Sequence, residues 1–157
     1  MSKINIFRID KTQGNLVFEL FDKYRVFYKQ PSDMTVAQTF IQDRLNNHES
    51  VIFVASCKET QQPIGFTQLY PKYSSKRIEK NWILNDLYVE QHYRKKGVGE
   101  ALINTALVFA QQHNASFVEI STAVDNSTAQ SLYEKIGFEM QKPDTEFFTY
   151  QIKTSTL

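Results

Sequence analysis

A chain of 157 residues, 41% hydrophobic and 13% aromatic, is long enough to bury one ordinary core and short for two independent domains. Eighteen Lys and Arg against 17 Asp and Glu leave a formal net charge of +1, which excludes the broad positive field that draws a protein onto DNA or an anionic membrane. The single cysteine, Cys57, has no disulfide partner, and no apolar run approaches the roughly 20 residues of a membrane span or the core of a signal peptide. The expectation is one soluble, cytoplasmic domain over 1–157, with no nucleic-acid or membrane partner and with any anion recognition confined to a local site.

Along the chain, "INIFRI" reads as a short strand. Val17, Leu20, Phe21, Tyr24, Phe27 and Tyr28 then recur at helical spacing until Pro31 stops the helix. "SDMTVAQTFIQDRL" starts a second helix behind a Ser32 or Asp33 cap. "VIFVASC" and "IGFTQLY", joined by the polar "KETQQP", predict an antiparallel hairpin, and "WILNDLYV", 82–89, the next strand. A long helix follows from Val98, ending near Asn114, a residue suited to a left-handed terminal position. "SFVEIST" reads as a strand. Asp125 or Asn126 caps a short helix with Ala129, Leu132, Tyr133 and Ile136 on one face, closed by Gly137, and "FFTYQIK" reads as a final strand. The β-α-β unit over 82–122 requires a parallel pair and the hairpin an antiparallel one, so the sheet is mixed. A ligand belongs at the carboxyl ends of the parallel strands, where "LYVEQHYRKKGVG" and "STAVDN" fall.

Taken alone, Arg94-Lys95-Lys96-Gly97-Val98-Gly99 fits a solvated basic turn or an anion cradle. In a cradle, backbone N–H groups at the start of a helix face the anion, and the glycines let the backbone come close. The spacing excludes a Walker A loop and a dinucleotide fingerprint, since the lysines precede the glycines and a third glycine is missing. Asp86 is the acidic side chain nearest the proposed centre and the leading general base, with a water chain as the alternative; simple alternation puts it opposite Asn85, Leu87 and Val89. Tyr24 and Tyr28, with Asp86, are candidates for lining an acceptor cleft. Glu19, Asp22 and Asp33 would attract a cation or decorate the surface. His92 reads as a solvated loop residue.

In its setting between an apolar strand and a long helix, the hexapeptide resembles the R/Q-x-x-G-x-G/A signature of the GNAT superfamily of acyl-CoA N-acyltransferases. "NDLYV" resembles that family's pantetheine-gripping strand, and "DNSTAQSLYEKIGF" its asparagine loop and tyrosine helix, so that the matching motifs span about residues 82–138. The pattern looks closest to the branch with fungal histone, polyamine and D-amino-acid acetyltransferases. The resemblance implies an α/β fold with a mixed, mostly antiparallel sheet, a splayed parallel pair and flanking helices. It implies acetyl-CoA as acyl donor without a metal, direct attack by a primary amine in a ternary complex, and a small basic acceptor such as a polyamine or amino acid. Acetylation of a protein lysine or N-terminus, or acyl-CoA binding without turnover, are the alternatives.

By the same resemblance Arg94, Lys95, Lys96, Gly97, Val98, Gly99, Glu100 and Ala101 hold the pyrophosphate, and Leu87, Tyr88 and Val89 meet the pantetheine arm. Asn126 and Ala129 join them, although capping is an equally good use of Asn126. Tyr133 would give a proton to the departing thiolate, while periodicity alone has it packing with Ala129 and Leu132. Pairing through "EFFTYQIK" would make a homodimer; as an intramolecular strand it would look the same.

Overall fold

The computed structural model describes residues 3–157. They form two compact units, one running to Ser121 and the other from Thr122 to Leu157.

The first unit is built on a five-stranded sheet in the order β1 (Ile4–Arg8), β2 (Val51–Cys57), β3 (Pro63–Ser74), β4 (Glu79–Val89), β5 (Val118–Ile120). The first three pairings are antiparallel and β4 with β5 is parallel, as the hairpin and the crossover require. On one face lie α1 (Phe18–Phe27) and α2 (Met34–Asn46). Their inward residues Leu20, Phe21, Ala37, Ile41 and Leu45 close over Ile52, Val54 and Phe66. Asp33 caps α2 by accepting the Val36 N–H at 3.1 Å. Asp22, a candidate for cation binding by sequence, is instead buried and tied to the start of this turn, accepting from Ser32 Oγ at 2.6 Å and Asp33 N at 2.8 Å. The other face carries α3 (Val98–Gln112), whose Phe109 packs edge-on to Phe53 and Trp82, 5.7 and 5.2 Å away. Asn114 takes the left-handed conformation (φ 62°) expected at its end.

The strands differ from their expected extents for identifiable reasons. β3 and β4 run to Ser74 and Glu79, because Tyr73 pairs with Lys80 in a hairpin arm whose polar residues hide its strand character. β5 is three residues, not the seven of "SFVEIST". Ahead of it the Asn81 side chain takes the Ser116 and Phe117 N–H groups at 2.7 and 3.3 Å, in place of a ladder.

Gln68 stands opposite Asp86 and Leu69 opposite Leu84, so Asn85 is the extra residue of a β-bulge in β4. Before the bulge, Trp82 faces α3; after it, Val89 does, its Cγ2 near both Gly65 and Gly99, while Tyr88 packs with the α1 and α2 core. The side-chain phase is thus reversed, which turns Asp86 toward α1. The expected alternation holds for Leu87 and Val89 but is corrected for Asn85, whose Nδ2 donates to Asp86 Oδ1 at 2.9 Å. Neighbours on a regular strand point apart; the bulge brings these two together.

The second unit holds α4 (Ser127–Ile136), capped by Asn126, whose side chain accepts from Ala129 N at 3.1 Å, and closed by Gly137 at φ 121°. The strand expected over "FFTYQIK" does not form. Asp144 Oδ1 accepts the N–H groups of Glu146 and Phe147 at 2.9 and 3.0 Å, a local turn that competes with an extended ladder, and Phe148 and Tyr150 are each 88% exposed.

Candidate active site

Parallel pairing of β4 with β5 covers only Trp82 to Leu84 and ends where the bulge begins. From Asn85 to Val89, β4 runs on beside β3 alone, so its outer side carries no ladder to β5. Leu87, Tyr88 and Val89, the residues expected to meet a pantetheine arm, lie along this unpaired stretch. At its end, Glu90 N still bonds to Ile64 O at 2.8 Å, and Gly65 admits the crossing of the strands, since a Cβ there would lie 2.9 Å from Tyr88 O.

The chain then turns through a short 3-10 segment, Gln91–Tyr93, into the basic loop. Lys95 and Gly97 both have positive φ, 60° and 83°. For a residue with a side chain this conformation costs on the order of 1–3 kcal/mol and tends to mark a ligand-binding turn. Left-handed residues among ordinary ones make successive N–H groups converge into an anion nest. Gly97 is also the N-cap of α3, so no cap side chain folds back onto the first turn of Val98, Gly99, Glu100 and Ala101, and the positive end of the helix dipole faces outward. A Cβ built on Gly97 would meet nothing within 4 Å, and one on Gly99 only Val89 Cγ2 at 3.9 Å. The space over both glycines is open. These features fit a pyrophosphate group: converging donors, room for close backbone approach, and exposed Lys95 and Lys96 at the rim.

Arg94 has a more specific place than the rim. Its Nε donates to Val89 O at 2.7 Å, and its guanidinium lies 5.4 Å from the Tyr88 ring and 5.5 Å from the Phe27 ring. It pins the loop to the end of β4 and to α1. Lys23 adds a second tie to that strand end, bonding Glu90 at 2.7 Å. His92 is exposed, as expected.

A cleft of about 670 Å³ opens beside this loop, lined by Glu19, Lys23, Phe27, Met34, Tyr88 and Arg94 among others. Tyr28, 59% exposed, packs at a tilt against Tyr24, ring centroids 5.0 Å apart, at the same helix end. A second hollow, about 390 Å³ between β1, β2 and α3, is lined by Arg8, Phe53 and Phe109 and holds no carboxylate.

Asp86 is 3% exposed. Gln68 Nε2 donates to its Oδ2, Asn85 Nδ2 to its Oδ1, and Thr67 Oγ1 to its backbone O at 2.8 Å. Burial pushes the carboxyl above its ordinary range, against the pull of the bonds from Gln68, Asn85 and Tyr24. The Tyr24 hydroxyl, which donates to Asn85 O at 3.3 Å, is half-buried; burial first and the Asp86 charge second push its phenol well above the usual value. Tyr70 is raised for the same two reasons. A buried carboxyl raised in this way holds a proton more readily than an exposed one, which suits a proton acceptor.

The first unit therefore brings together Asp86, Tyr24, Tyr28, Leu87 to Val89 and the whole Arg94 to Ala101 loop. The second unit carries Asn126, Ala129 and Tyr133, whose ring lies edge-on to Phe138 at 5.9 Å. Sequence reasoning passed over Gln68 and Ser50, although a glutamine amid "IGFTQLY" was the visible signal, a polar side chain where the core demands apolar ones. Among the described residues no group of His, Cys, Asp or Glu is arranged to hold a metal ion, and no helix is long and apolar enough to cross a membrane.

Residues 15–138 match the Acetyltransferase (GNAT) family. The chain is 42% identical over 147 residues to YhfO of Bacillus subtilis (strain 168), an uncharacterized N-acetyltransferase, covering 94% of this chain and 95% of that protein. Over 128 residues it is 30% identical to the D-amino-acid N-acetyltransferase HPA3 of Saccharomyces cerevisiae, covering 79% of this chain and 78% of the other. It also superposes on the crystal structure of a probable acetyltransferase with a TM-score of 0.83 at 38% identity, covering 95% and 97% of the two chains.

Proposed function

The chain belongs to the acetyltransferase (GNAT) family and is an N-acetyltransferase, and we propose that its acceptor is a small primary amine, a polyamine or an amino acid, acetylated directly in a ternary complex. The observation that carries this reading is the buried Asp86, turned by the bulge toward the aromatic end of α1 beside the opening in the sheet. The likeness to a D-amino-acid N-acetyltransferase favours the amino-acid side of the choice. The family match runs across the division at Ser121, which supports treating 1–157 as one functional domain.

The family's donor, acetyl-CoA, supplies an acetyl group already activated as a thioester. The backbone N–H groups from Lys95 to Ala101 would hold its pyrophosphate, and Leu87, Tyr88 and Val89 its pantetheine arm, joined by Asn126 and Ala129. An amine reaches this site as an ammonium and must lose a proton before it can attack. Asp86 attracts the cation and takes that proton. Tyr24 and Tyr28 line the approach, and their rings give an ammonium a polarisable face as well as a carboxylate. Tyr133 would give its proton to the sulfur as the C–S bond breaks and recover one from the nitrogen newly bonded to the acetyl group, so that amide and thiol both leave uncharged. The exposed apolar side chains of Phe147, Phe148, Tyr150 and Ile152 support pairing of two copies through this segment, which sedimentation of the wild type and of Phe148→Asp would test.

The decisive experiment is thiol release from acetyl-CoA across a panel of polyamines, L- and D-amino acids, lysine peptides and peptides with free N-termini. Turnover with the small amines is expected. Turnover confined to peptides, or acetyl-CoA binding without turnover on any amine, refutes the proposal.

A further inference from the structure

Gln68 is a fully buried amide on β3, opposite Asp86 in the ladder and flanked in the core by Phe66 and Leu69. Its two ends are engaged separately. Oε1 accepts from Ser50 Oγ at 2.7 Å, and Nε2 donates to Asp86 Oδ2. Burying a glutamine between apolar residues is costly unless both ends are paired, so the chain Ser50–Gln68–Asp86 is a built arrangement.

We propose that Gln68, held by Ser50, is a positioning residue for acetyl transfer, orienting the Asp86 carboxyl and giving it a hydrogen-bond partner both before and after it takes a proton. This rests on the reading of Asp86 as the group that accepts the amine's proton. An ionised carboxylate only accepts, so it needs the amide N–H, and the amide oxygen then needs the Ser50 hydroxyl as donor. A protonated carboxyl can donate. A half-turn of the Gln68 amide then presents Oε1 to Asp86 and Nε2 to Ser50, whose hydroxyl accepts as readily as it donates. Leucine at this place would serve neither state, and lysine only the charged one.

The other groups facing Asp86 are Tyr24 from α1, Asn85 from β4 and Tyr70 from β3 itself. Arg44 of α2 and Glu49, paired with each other at 3.1 Å, act on Tyr70. With phenols and amides around it, the carboxylate draws its stabilisation from hydrogen bonds, and Gln68 is the donor held from both ends. Burial pushes the carboxyl up, and the Gln68 bond is the leading influence in the opposite direction.

The test is a carbon-detected NMR titration of the Asp86 side chain in the full chain, without ligand. Gln68→Leu is expected to raise its midpoint by about one to two pH units, the scale of a hydrogen bond to a buried charge. Ser50→Ala, a milder change, should shift it the same way by less, and Ser50→Thr, which keeps the hydroxyl, should leave it at the wild-type value. An unchanged midpoint in both Gln68→Leu and Ser50→Ala, in proteins that still melt cooperatively, overturns the inference. The acid limb of the pH profile for acetyl transfer, measured with the best amine of the panel, tests the underlying reading separately. A limb that moves with the titration supports both. A limb that stays fixed while the titration moves upholds the grip of Gln68 on Asp86 and refutes Asp86 as proton acceptor.

Discussion

Replacing Gly99 by glutamate should separate what the protein needs from what its ligand needs. The position lies in the first turn of α3, where a good helix former is favoured over glycine by roughly 0.5–1 kcal/mol because less backbone freedom is lost on folding, and where an acidic side chain suits the positive end of the helix dipole. The new Cβ has room: its nearest neighbour would be Val89 Cγ2 at 3.9 Å, an ordinary contact. A chain of this length gains about 2–4 °C in Tm per kcal/mol, so folding energetics alone predict a rise of roughly 1–4 °C. The signature this loop resembles admits only glycine or alanine here; if the open side of Gly99 is where the pyrophosphate meets the backbone, a carboxylate stands in its place and repels it. Acetyl-CoA at a hundred times its Kd stabilises the wild type by about 2.7 kcal/mol, roughly 5–11 °C, whereas a hundredfold loss of affinity would leave about 0.4 kcal/mol. The melting temperatures should therefore cross, with the variant above the wild type in buffer and below it in acetyl-CoA. Scanning fluorimetry in both conditions reads this directly, and calorimetry gives the Kd. A variant that melts higher in both conditions and binds with wild-type affinity would refute the placement of the pyrophosphate.

Two further expectations concern the chemistry. Asp86→Asn should lower kcat/KM strongly yet raise Tm at pH 8. The native carboxyl lies above its ordinary value of 3.8, so its neutral form contributes stability that is whole below about that pH and is lost as pH rises through the raised native value. Asparagine does not suffer that loss, so the gain should appear across that window and vanish at pH 3.5; a variant no more stable at pH 8 than at pH 3.5 would contradict the assigned cost of ionising Asp86. Tyr133→Phe should reduce kcat well beyond any change in the Kd for acetyl-CoA, because the hydroxyl matters as charge develops on sulfur, and an unchanged rate of thiol release would remove Tyr133 from that role.

Helices and their caps were legible wherever a local interaction decides the conformation. Asp33, Asn114, Asn126 and Gly137 act where the residue types say they should, because a cap is settled within four residues. The loop of Arg94 to Gly99 was legible for the same reason, since left-handed turns select glycine. What escaped depends on partners distant in sequence. The bulge is a property of pairing between Gln68 and Asp86, not of the run "WILNDLYV", and no periodicity in one strand reveals a register shift against another. The hydrogen bond from Gln68 to Asp86 spans 18 positions, as does that from Ser50 to Gln68, so neither could be read from spacing. "FFTYQIK" has the alternation of a strand and lacks the ladder, because alternation says which side would be buried and not what would bury it. Arg94 was expected beside a phosphate as bare charge; that it bonds Val89 O depends on the chain doubling back within five residues.

The extra residue in β4 also ties two properties into one heritable unit. The insertion that reverses the side-chain phase, and so gives Asp86 its aspect, sits where the strand parts from β5. Absorbing Asn85 into a regular ladder would let the strand pair further and point the Asp86 carboxylate at the opposite face, removing the opening and the proposed base in a single step. Removing the residue altogether would instead keep Asp86 opposite Gln68, because the pairing on either side of the bulge is unchanged. Diversity among descendants of this chain should therefore accumulate in α1 and α2, while substitutions that regularise the middle of β4 stay rare.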